Sequence, residues 1–273
     1  MTDSKTKTSA RFNANSDGDI VFSSSDEVLF YVHKKNLEFC SGGFPPADTP
    51  TLDDESIPLT EKASTLELLF AFVYPQRYPG LNDMTFEELV DLAEAAEKYE
   101  VYFAMSLCSL KMKEYVSSNA PEIFGFAARH DYPFLISIVA PRLISRPLTD
   151  VVNVIPAYMY IPWTLFKERW QQCLDVVCSI PQRDTSHVHS NDWYLNAYKV
   201  QIALSDISRL ADLDTVFEEA GIDFERKYCD PHYGYCSLYN FKEWRDKAVV
   251  EVAKIPDFVT FLKTYAPSEI QGK

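Results

Sequence analysis

Glycine is scarce in this chain, with 8 in 273 residues. None of them builds a Walker-type phosphate loop, a dinucleotide fingerprint or a Gly-x-Ser-x-Gly elbow, so chemistries that need a backbone cradle or an exposed nucleophile turn have no foothold. Cations are scarce as well. Lys and Arg number 26 against 40 Asp and Glu, a formal net charge of -14, and such a field repels a phosphate backbone unless the cations gather on one face. The short basic clusters, Lys5/Lys7/Arg11 and Lys111/Lys113, read as solubilising, and nucleic acid is excluded as the expected partner. No apolar run approaches the length of a membrane span, and MTDSKTKTSA at the start holds no apolar stretch that would serve as a secretory signal. Asn-X-Ser/Thr sequons are absent too. These absences set the expectation of an intracellular chain, cytoplasmic or nuclear, with no membrane partner. In that setting six cysteines are free thiols or metal ligands sooner than disulfides.

What is present is a hydrophobic content of 47%, 14% aromatic, over a length that suits two domains. Residues 1–16 are polar and read as a mobile tail, with Phe12 the one side chain able to dock on the first strand. Ile20-Val21-Phe22 and Val28 to Val32 are β-branched and aromatic runs around a turn-forming Ser23 to Glu27, which predicts a hairpin. A helix follows from His33-Lys34-Lys35. Gly42 to Glu55 is a Pro-broken acidic loop, and Ser56-Ile57-Pro58-Leu59 is a short strand that its proline confines to an edge or a bulge.

From Ser64 the period becomes helical. Ser64/Glu67 and Thr85/Glu88 have capping-box spacing, with apolar stripes Leu66/Leu69/Phe70/Val73 and Phe86/Leu89/Val90/Ala93/Ala96 behind them. A third helix is predicted from Val101 to about Val116. Beyond Pro121 come two short helices, then helical periods at Trp163 to Val177, Asn191 to Leu213 and Lys242 to Lys263, punctuated by prolines. No repeat of solenoid period is present.

The Asp that opens the first strand (Asp19), the His33-Lys34 pair at the end of the second, Ser41 and Phe44, LLFAFVYP, and FEELVDLAEAAEKYEVYFAM occur in the order of a BTB/POZ domain, which residues 17–118 resemble. VHKKNLE, IPLTEKASTLELL and AEAAEKYEVYFAM are most similar to the single-BTB proteins of mushroom-forming fungi. The resemblance implies an α+β fold, a short β-sheet flanked by a helical cluster, followed by an all-α C-terminal domain over 119–273. Residues 119–147 would be a helical pair extending the BTB domain. It also implies a non-enzymatic protein-interaction module that self-associates, a homodimer, or recruits a protein partner. Asp19, His33, Lys34, Leu37 and Phe44 would mark the dimer or partner face, with Asp19 and Lys34 as a half-buried pair. The plainer reading of Asp19 is a strand-start acceptor for a local backbone donor, and of His33 a satisfied helix-start residue.

The alternative function is a substrate adaptor of a cullin-type ubiquitin ligase. Cullin-binding relatives continue after the Ser and Phe into an apolar helix that ends near a hydrophobic-x-Glu motif, whereas this chain continues Pro45-Pro46-Ala47-Asp48. A BTB-type transcription factor is disfavoured, since zinc fingers and basic segments are missing. A second alternative is a zinc-stabilised regulatory protein. Its candidate ligands are Cys173-x4-Cys178 and Cys229-x6-Cys236, with His232 between the latter and His187/His189 nearby in sequence. Neither cysteine pair has the usual x2 to x4 knuckle spacing, so small buried thiols are the competing reading and no cofactor is expected. A Cys-His hydrolase built on Cys40 or Cys108 competes with packing roles for both. Tyr158, Tyr160, Trp163, Phe166 and Trp170 suit either a core or a partner anchor.

Overall fold

The structure, a computed structural model, describes residues 7–48, 56–179, 191–222, 224 and 237–266. It divides into two compact units, Met1–Tyr115 and Val116–Lys273, against a boundary read from the sequence at 118. The first unit is mixed α and β. Its sheet has the order β1-β3-β2-β4, built from Lys7–Thr8 (β1), Ile20–Ser23 (β2), Val28–Val32 (β3) and Ile57–Pro58 (β4). The hairpin strands β2 and β3 pair antiparallel with Phe22 opposite Phe30 and Ile20 opposite Val32. Alternation then turns these four side chains to one buried face. The two-residue strands β1 and β4 pair parallel to β3 and β2 at the two edges. Pro58 is thus tolerated for the reason that its missing N–H requires.

The helices of this unit are Lys34–Cys40 (α1), Ala63–Ala71 (α2), Phe86–Lys98 (α3) and Tyr102–Lys111 (α4). Phe70 on α2 is the hub of the core. Its ring lies 5.5 Å from Phe22, 5.5 Å from Phe30, 5.9 Å from Phe12 and 6.2 Å from Phe44. The sheet, α2, the N-terminal segment and the chain after α1 therefore share one aromatic cluster.

Three expectations need correction. Residues 7–16 are ordered, and only 1–6 of the expected tail lie outside the described residues. Phe12 is 3% exposed. The Ser9 hydroxyl accepts from the Arg11 and Phe12 N–H groups and donates to Glu67 at 2.7 Å. A single aromatic anchor and a buried serine do what no periodic pattern announced. Second, the Ser64/Glu67 capping box does not form. Helix α2 starts at Ala63, whose N–H donates to Asp26 of the hairpin turn at 2.8 Å, so a distant carboxylate supplies the cap while Glu67 is engaged by Ser9. The Thr85/Glu88 box forms as expected. Third, the expected Lys242 to Lys263 helix is two helices, broken before Asp257, which caps the second through the Val259 N–H.

The second unit is all helical in its described residues: Ala120–Arg129 (α5), Pro133–Val139 (α6), Leu148–Val152 (α7), Tyr160–Val177 (α8), Asn191–Ala203 (α9), Leu213–Glu219 (α10), Ser237–Ala253 (α11) and Phe258–Tyr265 (α12). The long α8 buries Trp163, Phe166, Trp170, Cys173 and Val177 along one stripe at spacings of three and four. Phe258 of α12 packs on it, 5.4 Å from Trp163 and 5.2 Å from Phe166, and 5.8 Å from Phe124 of α5. Trp163, Phe166 and Trp170 of the aromatic cluster are thus core, while Tyr158 and Tyr160 are half-buried.

The indoles of this core differ in one respect. Trp244 Nε1–H donates to the Val177 carbonyl at 2.5 Å, whereas Trp163 and Trp170 bury Nε1–H with no acceptor. A buried donor without a partner costs about 1–3 kcal/mol. In urea denaturation, Trp244→Phe is expected to lose about 1–3 kcal/mol more stability than Trp163→Phe, because only the former strands a carbonyl. Equal losses would contradict this.

Candidate protein-interaction face

Helix α1 is fixed at its start by groups remote in sequence. His33, its N-cap residue, provides no side-chain cap. Asp19 provides it instead, accepting from the Lys34 N–H at 2.7 Å across 15 residues of hairpin. The carboxylate also complements the positive end of the helix. Asp19 thus meets Lys34 through the backbone N–H of Lys34, a donor 15 residues away where a local one was expected. Tyr74, just beyond α2, holds the preceding position: its hydroxyl accepts from the His33 N–H at 3.1 Å and lies 2.9 Å from His33 Nδ1. Burial pushes the Tyr74 phenol above its ordinary titration range.

Leu37 and Phe44, expected at the dimer or partner face, are buried within the first unit. Leu37 is 1% exposed and Phe44 belongs to the aromatic core, its ring stacked on Tyr99 at 4.6 Å with planes 7° apart. Leucine at the fourth position of α1 is the helix's one buried residue, and Phe44 follows two glycines that let the chain pass close over the end of α3. A Cβ on Gly43 would meet the Tyr99 backbone at 2.7 Å.

A residue that the sequence reading left unnamed takes their place. Phe39 is 88% exposed on α1, two residues before the isolated bridge between Ser41 and Val101. A second exposed group lies on the same domain, where Tyr78 and Phe103 stack at 4.2 Å and Tyr102 and Leu110 stand out from α4. The signal for Phe39 was available: in Lys34–Cys40 the core position is Leu37, which leaves Phe39 two residues away on the opposite side of the helix.

A polar clamp ties the β4–α2 connection to the end of α3. Glu61 accepts from Tyr99 Oη at 2.7 Å and from Lys98 Nζ at 2.8 Å. Burial would raise the Glu61 carboxyl, but hydrogen bonds from Lys98, Tyr99 and Thr60 outweigh it and hold the group below the ordinary carboxylate range. Burial first, and then Glu61, push Tyr99 up to about 12.

The described cysteines are Cys40, Cys108, Cys173 and Cys178. Among the described residues no three His, Cys, Asp or Glu side chains are gathered to hold an ion. Cys173 is buried on α8, and burial raises its thiol and that of Cys178 above the ordinary value. Cys229, Cys236, His187, His189 and His232 lie outside the described residues. Cys108 is buried with its thiol pushed up to about 12, by burial first and Glu97 second, the opposite of an activated nucleophile. Among the described residues no helix is long and apolar enough to cross a membrane. Comparison with protein-family models, with curated proteins and with solved structures finds no match to this chain.

Two outcomes follow from the supports. Asp19→Ala is expected to destabilise the first unit by about 1 kcal/mol through loss of the α1 cap, measured by urea titration. Glu61 stabilises the fold above the unfolded carboxylate range, and that contribution is lost as pH falls through its depressed folded value. The wild-type chain should therefore lose stability below about pH 4.5 more steeply than Glu61→Gln; parallel profiles would sink this assignment.

Proposed function

We propose that the first unit is a BTB-type interaction domain, and that the chain works by non-enzymatic association of the α1 face with a second copy of itself. The observation that carries this reading is Phe39. An aromatic side chain left 88% exposed on a helix pinned by Asp19 and Tyr74 is a preformed apolar anchor on a rigid mount. Aromatic anchors of this kind dominate interface energies, and a fixed mount lowers the entropy lost on binding. The BTB likeness of the hairpin, the helix after it and the α2 to α4 run supports the same reading, as does the short sheet with helices clustered on it. Formal charge of -14 opposes self-association at long range, so the contact must be short-range and apolar, which suits Phe39.

Light scattering coupled to size exclusion tests this on the full chain. The wild type is expected to run as a dimer and Phe39→Glu as a monomer with unchanged circular dichroism. A wild-type monomer that becomes heavier only with a purified cullin N-terminal domain would move the assignment to a ligase adaptor. A dimer untouched by Phe39→Glu would remove α1 from the interface.

A further inference from the structure

The charges of α1 run against the helix that carries them. The N–H end of a helix favours anions and the carbonyl end cations. Helix α1 instead begins with Lys34 and Lys35, has no acid in its first turn, and carries Glu38 with no base in its last. Just past its end lies another acid: the Glu100 carbonyl accepts from the Gly42 N–H at 3.2 Å, and a Cβ on Gly42 would collide with the Glu100 carboxylate. Glu100 also holds a left-handed backbone, φ 50°, which glycine adopts without the strain that a side chain brings. None of these choices helps α1 or the α3–α4 junction locally, and sequences break local rules chiefly at functional sites.

Their placement is ordered about Phe39. Lys35 and Phe39 are four residues apart, so they share one side of α1, away from buried Leu37. Lys35 stands one turn before the ring, and the Glu100 carboxylate, over Gly42, about one turn beyond it; all three residues are exposed. Glu38, next to Phe39 in the chain, is turned off this line by the helical twist. Exposed Tyr102 brings its hydroxyl within 2.5 Å of the same Gly42 position and extends the aromatic surface past the end of α1. A face with a cation on one side of an aromatic ring and an anion on the other is complementary to itself under a two-fold rotation about the ring.

We propose that α1 pairs antiparallel with α1 of a second copy about a two-fold axis at Phe39, with Lys35 of each copy against Glu100 of the other. This sets an acid of one copy at the positive end of the other's helix and a lysine at its negative end, the arrangement that α1's own sequence reverses. A parallel pairing would set Lys35 against Lys35 and Glu100 against Glu100. The pairing rests on the preceding reading of self-association and deepens it: the ring supplies the apolar contact, while the flanking charges fix its orientation and disfavour partners without the same pattern.

Sedimentation equilibrium of charge-reversed full chains tests it. Lys35→Glu and Glu100→Lys should each weaken the homodimer about tenfold or more, since each turns two attractive contacts into repulsive ones. An equimolar mixture of the two variants restores both contacts and should form a heterodimer at about the wild-type Kd, as should the double variant with itself. Circular dichroism should stay unchanged throughout. Single variants that dimerise like the wild type, or a mixture no tighter than its components, would overturn the antiparallel register; the response to Phe39→Glu then still decides whether α1 is the association face. A wild type that is monomeric at every concentration would overturn this pairing and the self-association reading together.

Discussion

The first unit depends on one ring. Phe70 projects from α2 into the sheet and touches the hairpin through Phe22 and Phe30, the N-terminal segment through Phe12, and the chain beyond α1 through Phe44. A small four-stranded sheet with two-residue edges cannot stabilise itself, so burial against α2 is what makes it persist. Everything that positions α1 follows from that arrangement. Phe12 packs on Tyr74, Tyr74 holds His33, and Phe44 stacks on Tyr99, whose hydroxyl engages Glu61.

The polar contacts have a shared logic. Helices α1 and α2 are both capped by carboxylates from the hairpin, Asp19 and Asp26, instead of by residues at their own starts. Each cap thereby fixes a helix to the sheet as well as satisfying an orphan N–H. The hairpin is thus the frame: Asp19 holds the start of α1 to it, and Tyr74, beyond α2, holds His33 at the same end of the helix. Such a mount lets the helix expose a large aromatic ring without depending on that ring for its place.

Much of the first unit was legible from local pattern. Alternating β-branched and aromatic runs marked the hairpin, Pro58 marked the edge, and the Thr85/Glu88 box marked the start of α3. What stayed hidden was long-range. Nothing near Ala63 announces that Asp26 caps it, and nothing in residues 7–16 announces that Ser9 ties them to Glu67. The break in the last helix, by contrast, is local: Pro256 stands between Ala253 and Phe258. The start of α1 was legible in part, since Asp19 and His33 are both engaged there, while Leu37 and Phe44 are buried. In the second unit the buried stripe of α8 followed from periodicity, while the Trp244 bond to Val177 depends on two helices meeting 67 residues apart.

The central claim is that α1 presents Phe39 to a partner, and photo-crosslinking tests it most directly. Benzoylphenylalanine at position 39 in the full chain should yield a product of twice the chain mass on irradiation, whereas the same group at exposed Asp91 on α3 should not. Cross-linking from position 91 with none from position 39 would contradict the account.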